Sequence, residues 1–269
     1  MAQIGSESGI TQFTVSPKIN LSANVGYVGD QITVTGNGFN PSPVSLYFDN
    51  STTPLATTTA NASGILAPTT ITIPAATKAS HTIKAVDAAG SSGAVFAIFA
   101  VNPKITLSPA VGGAGDQIAA TGTGFAGSSL ITITIDGTAV STSPPSISTN
   151  NKGGFTASFV IPTNTTRGAH SVIATDLINS SATAILTVED SITLSTTSGF
   201  VGDTIEVSGS GFAANKTITL YFDTTIIWTN NLRTNSSGAF PATIIAIPAA
   251  AKGDHTIKAR DADNNQATT

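Results

Sequence analysis

Three histidines, His81, His170 and His255, are the side chains best suited to chemistry in this 269-residue chain. Histidine titrates near neutral pH and binds metals, so a trio of them raises a metal site or an acid–base set. Carboxylates accompany each one at matching places. Asp30, Asp116 and Asp203 open one strand, Asp49, Asp136 and Asp223 end another, and Asp87, Asp176 and Asp261 end a third. This is one histidine with one set of carboxylates, repeated three times at a period of about 86 residues. Equivalent strands of separate units cannot converge on one centre, so no catalytic residue, no metal site and no cofactor is assigned. Aspartate oxygens that bind nearby amides in turns account for the carboxylates. Asp261-Ala262-Asp263-Asn264-Asn265 lacks the glycine and distal glutamate of a calcium loop. No helix follows Gly36-Asn37-Gly38, so it reads as a strand-ending turn and not a phosphate cradle. With no cysteine, disulfides, thiol catalysis and thiolate metal sites are excluded.

A net charge of -4 with only 10% charged residues leaves no basic stripe, which argues against a nucleic-acid partner. No apolar run approaches the ~18 residues of a membrane helix, and none is expected to insert in a membrane. Met1 to Ser8 lack the charged start and apolar core of a secretory signal. Asn20, Asn50, Asn61, Asn164, Asn179, Asn215 and Asn235 each begin an Asn-x-Ser/Thr triplet and are candidate glycosylation acceptors of an exported glycoprotein.

The elements that carry these residues repeat in one order. Gly29-Asp30 recurs as Gly115-Asp116 and Gly202-Asp203, and Gly38-Phe39 as Gly124-Phe125 and Gly211-Phe212. Later come a glycine turn (Gly64, Gly154, Gly238), a proline closing an apolar strand (Pro74, Pro162, Pro248) and the histidine. Inside a unit the hydrophobic period is two, as in Ile32 and Val34 or Ile205 and Val207, which predicts half-buried strands and no helix. In the first unit strands are expected near 19–22, 31–35, 44–48, 66–73, 81–86 and 94–101, with a weak one near Leu55. Such spacing predicts an all-β chain of three tandem immunoglobulin-like sandwiches. Phe39, Phe125 and Phe212 are expected to plug the cores, Trp228 to pack locally, and Ala119-Ala120 to loosen the second unit's second strand.

The run Val28-Gly29-Asp30-Gln31-Ile32-Thr33-Val34-Thr35-Gly36-Asn37-Gly38-Phe39, like Val201 to Phe212, resembles the opening of the Ig-like domains called IPT or TIG. The resemblance extends through all three units. It implies an immunoglobulin-like sandwich of the kind used in bacterial and archaeal surface proteins, extracellular and often in long arrays, and it brings no catalytic residues.

The boundaries follow: an N-terminal extension over 1–17, then domains over 18–102, 103–189 and 190–269. Linkers as short as Asn102-Pro103-Lys104 and Glu189-Asp190-Ser191 predict an extended rod. Ile10-Thr11-Gln12-Phe13-Thr14-Val15-Ser16-Pro17 matches Phe96 to Pro103, the last strand of the first unit, and so reads as a strand without its domain. The third unit has the opposite defect, because alignment of Asp261 with Asp87 makes Thr269 the counterpart of Val95. Its sixth strand, with an edge over Thr256, Ile257, Lys258, Ala259 and Arg260, is expected to lack its neighbour. Ile10, Thr11, Phe13 and Val15 would supply the donor strand. The expected partners are identical subunits joined head to tail into a filament or pilus, with a host or cell-surface ligand as a further partner. A fragment of a longer adhesin or S-layer-type array is the alternative, and a carbohydrate-binding module is disfavoured by aromatics at 6%.

Overall fold

The computed structural model describes residues 13–88, 94–228 and 231–269, and among them every regular element is a β-strand. The chain forms two compact units, Met1–Asn102 and Pro103–Thr269. The first contains β1 (Lys18–Leu21), β2 (Val25–Gly26), β3 (Gln31–Asn37), β4 (Pro43–Phe48), β5 (Ala56–Thr59), β6 (Thr69–Thr72), β7 (Ser80–Asp87) and β8 (Val95–Val101). One sheet runs β1-β3-β6 and the other β2-β8-β7-β4-β5, with β2 alone pairing parallel. Alternation explains the layering: along β3, Ile32 and Val34 point inward while Gln31 and Thr35 face solvent. The inward faces of both sheets meet in one core around Val44, Leu46, Ile83 and Phe99. Each such side chain contributes about 1.5–3 kcal/mol on leaving water.

The second unit holds two cores. Around the first are β9 (Lys104–Ser108), β10 (Val111–Gly113), β11 (Gln117–Thr123), β12 (Leu130–Ile135), β13 (Thr138–Ala139), β14 (Thr142–Ser143), β15 (Ile147–Ser148), β16 (Phe155–Val160), β17 (Gly168–Asp176) and β18 (Ser181–Glu189). They pair as β14-β16-β11-β9 and β10-β18-β17-β12-β13, with β15 also on β12. Around the other are β19 (Ser191–Leu194), β20 (Thr204–Ser210), β21 (Ile218–Phe222), β22 (Thr225–Trp228), β23 (Phe240–Ala246), β24 (Ile257–Asp261) and β25 (Gln266–Thr268). Their sheets are β19-β20-β23 and β22-β21-β24-β25.

Phe39, Phe125 and Phe212 are buried in the three cores, the latter two tilted against Phe155 and Phe240 at 5.5 and 5.7 Å between ring centroids. Beneath each lies a glycine whose carbonyl accepts the phenylalanine amide: Gly64, Gly153 and Gly238. All three have φ between +73 and +76°. The second unit therefore uses Gly153, and not the adjacent Gly154, because a Cβ there would run into the Phe125 carbonyl. Trp228 packs against the third core.

Several expectations need correction. The strand expected over 66–73 shortens to β6, with Leu66 held by a single bridge to Ala60. Ala119-Ala120 does not loosen β11: Ala119 faces out, Ala120 is fully buried, and β11 keeps unbroken register with β16 and β9. The third sandwich does possess a last strand. Asp261 closes a tight turn by accepting the amides of Asp263 and Asn265, and β25 then pairs Arg260↔Gln266, Ala259↔Ala267 and Lys258↔Thr268. The alignment misplaced this strand because the first sandwich takes eight residues from Asp87 to Val95, whereas the third needs six from Asp261 to Ala267, the counterpart of Val95.

Candidate functional site

The three histidines do belong to a repeated polar assembly. His81 Nδ1 lies 2.7 Å from Asp49 Oδ2, His170 Nδ1 2.6 Å from Asp136, and His255 Nδ1 2.8 Å from Asp223. The other ring nitrogen faces a backbone carbonyl four residues earlier, of Thr77, Thr166 or Ala251. Each aspartate's second oxygen accepts the amide just after the histidine: Thr82, Ser171 or Thr256. The aspartates adopt φ values of 49, 47 and 52°, as required at the hairpin end where they sit. Oxygen acceptors therefore hold each ring at both of its nitrogens. The Ala251 carbonyl, followed by Asp223, holds His255 above its ordinary value. The Thr256 amide and then His255 hold Asp223 low. His170 and then the Ser171 amide do the same for Asp136, while for Asp49 burial is outweighed by Thr82 and His81. The arrangement ties two strands together and leaves no ring nitrogen free for a substrate or metal.

Several of the remaining carboxylates are also engaged by amides. Asp30, Asp116 and Asp203 accept from Tyr27, Gly113 and Phe200. Asp261 accepts from Ala213, Asp263 and Asn265, which saturates both oxygens where a calcium loop would need them free. All seven candidate acceptor asparagines are exposed. Asn61 and Asn235 have a structural task as well, each accepting two amides of its own turn.

The sandwiches differ at their last strand. In the first, β8 sends Phe99 and Val101 into the core; in the second, β18 sends Leu186 and Val188, all four at 1% exposure or less. In both, a short strand, β2 or β10, covers this end in parallel, pairing Gly26 with Val101 and Gly112 with Val188. The pairs Lys84↔Phe96 and Lys258↔Thr268 occupy the same place, so Thr268 stands where Phe96 does and Thr269 where Ala97 does. Residues 190–269 supply no counterpart of Phe99 or Val101. At their place is an open groove of about 310 Å³, lined by Leu194, Ile205, Phe222, Ile247, His255 and Ile257. The His255 side chain is accordingly 26% exposed, against 11% for His81 and His170.

The expected acceptor edge is thus only partly free. Lys258, Ala259 and Arg260 are covered by β25, and Ile257 exchanges two 3.1 Å hydrogen bonds with Thr269. The uncovered part centres on Asp254 and His255, which line the groove together with Thr197 to Gly199, while the Thr256 backbone is paired with Asp223. Of the expected donor residues, Phe13 and Val15 stand outside any strand at 90% and 66% exposure, while Ile10 and Thr11 lie outside the described residues. Sequence reading had missed the histidine–aspartate pairing. Its signal was the near-constant separation of 32, 34 and 32 residues between partners.

No protein-family model matches the chain, and no curated protein matches it. Among solved structures, it is similar to a tetra-tandem repeat in the extending region of a large adhesion protein (16% identity, TM-score 0.28). That match covers 94% of this chain and 72% of the other. Invasin, a bacterial integrin-binding protein, matches at 13% identity and TM-score 0.29, over 94% of this chain and 59% of that one. A Bacteroides ovatus mixed-linkage glucan utilization locus protein, SGBP-B, solved with a mixed-linkage heptasaccharide, matches at 12% and 0.32, over 97% and 66%. The chain therefore spans less than two thirds of the length of the latter two. The all-β, immunoglobulin-like class of this chain rests on its own strand pairing.

Proposed function

We propose that this chain is a structural subunit of an extracellular, cell-surface filament, built from tandem Ig-like sandwiches and joined head to tail by strand exchange. One observation carries the reading. The third sandwich has an open groove, floored by Ile205, Phe222 and Ile257 and rimmed by Thr197, Ser198 and Asp254, where its two siblings bury the end of their last strand, while Phe13-Thr14-Val15-Ser16-Pro17 repeats the pattern Phe99-Ala100-Val101-Asn102-Pro103 with Phe13 and Val15 exposed. Exposed apolar surface and an unpaired strand edge both favour a partner, and a β-strand satisfies both together. Donor and groove are different surfaces, so a contact between copies is heterologous and propagates into a filament unless the rotation closes a ring. The exposed asparagine acceptors and the low charge suit a surface kept soluble by hydroxyls and glycans.

A second reading is a segment of a longer adhesin or S-layer-type array, in which the strand filling the groove follows residue 269. The similarity of Gly5-Ser6-Glu7-Ser8-Gly9 to Gly90-Ser91-Ser92-Gly93, which precedes the matching strand, favours it. Light scattering and negative-stain microscopy of the purified chain separate the two. A subunit forms ordered polymers that Phe13→Asp abolishes by burying an unpaired carboxylate beside Asp254 and in place of an aromatic ring. A chain that stays monomeric at all concentrations overturns the subunit reading and leaves the array.

A further inference from the structure

We infer that Asp190 makes the joint between the second and third sandwiches responsive to pH, tightening when its carboxyl is protonated and loosening when it is ionised. The joint lies inside one compact unit, and Glu189-Asp190-Ser191 runs directly from β18 into β19. A Cβ added to Gly113 of the second sandwich would lie 2.5 Å from the Ser191 Cβ. One added to Gly211 of the third would lie 2.4 Å from the Glu189 carbonyl oxygen and 3.0 Å from the Asp190 Cα. Ser191 Oγ and Ser210 Oγ meet at 3.0 Å. Both sandwiches thus press on the linker, and the residue at its centre is a carboxylate. Ser191 pairs with Ser210 as Lys18 pairs with Asn37 and Lys104 with Thr123, so Asp190 stands where the earlier copies have Pro17 and Pro103. Proline fixes its backbone there without any group that titrates.

The geometry of the carboxylate shows what ionisation costs. The Asp190 side chain is 1% exposed; Arg167, from the segment before β17, binds Oδ2, while Oδ1 is buried with no hydrogen-bond partner. One half-exposed guanidinium therefore stands in for the several waters that an ionised carboxylate has in solution. The other charged groups around the joint do not make up the difference. At the end of β24, Asp261 adds a like charge, with its own oxygens taken by amides. Asp263, in the turn that follows, is paired with Lys216 at 3.0 Å. Beside β10, Asp116 accepts the Gly113 amide at 2.7 Å, and Glu189 is exposed.

The direction of the response follows from proton linkage. When the joint opens, the carboxylate meets water and takes its ordinary value of about 4. In the closed joint burial, the largest influence, pushes it up, Arg167 pulls it back, and Asp261 adds to the rise. The closed joint therefore holds the proton more tightly than the open one, and protonation favours closure. That preference is fully present below about pH 4 and is lost as pH rises through the higher closed value. Arg167 limits the loss by keeping one charge-assisted contact with the ionised form.

Distance distributions between spin labels on Thr138→Cys and Ser236→Cys test this in the full-length chain, which has no cysteine of its own. Both positions are exposed, one in each sandwich, and dilution with unlabelled chain restricts the signal to single copies. The native distribution should be narrow at pH 4 and clearly broader at pH 8. Asp190→Asn, which keeps the shape of the neutral carboxyl, should be narrow at both. Arg167→Gln, a change at a half-exposed side chain that leaves the cores untouched, should be broader than native at pH 8 and match it at pH 4. Native distributions that coincide at the two pH values overturn the inference. So does an Asp190→Asn chain as broad as the native one at pH 8, or an Arg167→Gln chain still broadened at pH 4.

Discussion

His255 lies 2.8 Å from Asp223 as His170 lies 2.6 Å from Asp136, yet the His255 side chain is 26% exposed and that of His170 11%. The contacts are the same and the covering strand differs, so this imidazole is the most exposed of the three. Its titration follows from the directions of shift. His255 sits above its ordinary value, so its contribution to stability is fully present below about pH 6.5 and is lost as pH rises through the higher folded value. Asp223 sits below its own, so its contribution is present above about pH 4 and is lost as pH falls through the lower folded value. The melting-temperature gap between the native chain and His255→Gln should be widest near pH 5 and should narrow by pH 9. Equal gaps at both values would show that the ring acts by packing alone.

Within the second unit, Arg167 binds Asp190, whose side chain is 1% exposed. Burial pushes the Asp190 carboxyl up, with Asp261 adding to it, against the pull of Arg167. Arg167→Ala strands this carboxylate and should cost about 1–3 kcal/mol in urea unfolding. Asp190→Asn removes the buried charge itself and should cost less. The reverse order would mean that Arg167, half exposed, contributes little.

Gly238 has φ +76°, and an added Cβ would lie 1.9 Å from the Phe212 carbonyl. Gly29 has φ +90° with nothing within 4 Å of that position. Gly29→Ala should cost only the backbone term, about 1–2 kcal/mol, and Gly238→Ala clearly more, because Phe212 must move from the core. Denaturant midpoints of the two variants compare them directly.

Thr149 Oγ1 donates to the Ala126 carbonyl at 2.6 Å and accepts the Ser129 amide at 2.8 Å, and Thr234 repeats this with Ala213 and Lys216. Thr149→Val keeps the shape but leaves the amide and the carbonyl unpaired, for an expected loss of about 1–3 kcal/mol. An unchanged urea midpoint would mean that water replaces the hydroxyl.

The fold was legible because its signals are local and repeated. Alternating residues such as Ile32 and Val34, and glycines placed where φ must be positive, act within a few residues of themselves, so the chain states them directly. Three copies in one order made the strands and the phenylalanine plugs readable. Two-residue strands such as β2 were not legible, since Val25-Gly26 has no period of its own and is a strand only because β8 passes beside it.

The site was legible in outline and misread in extent. Amino-acid order alone determined that Phe13 and Val15 repeat the pattern of Phe99 and Val101 and that the histidines come one per unit. Tertiary structure decided where the last strand of the third sandwich begins, because a turn length is set by hydrogen bonds such as Asp261 to Asn265, which alignment by position does not see. It also decided that histidine and aspartate meet, since partners some 32 residues apart are brought together by strand pairing and not by spacing along the chain. The groove is of the same kind: an unfilled volume belongs to no residue, and exists only where two sheets close around a place that neither of them fills.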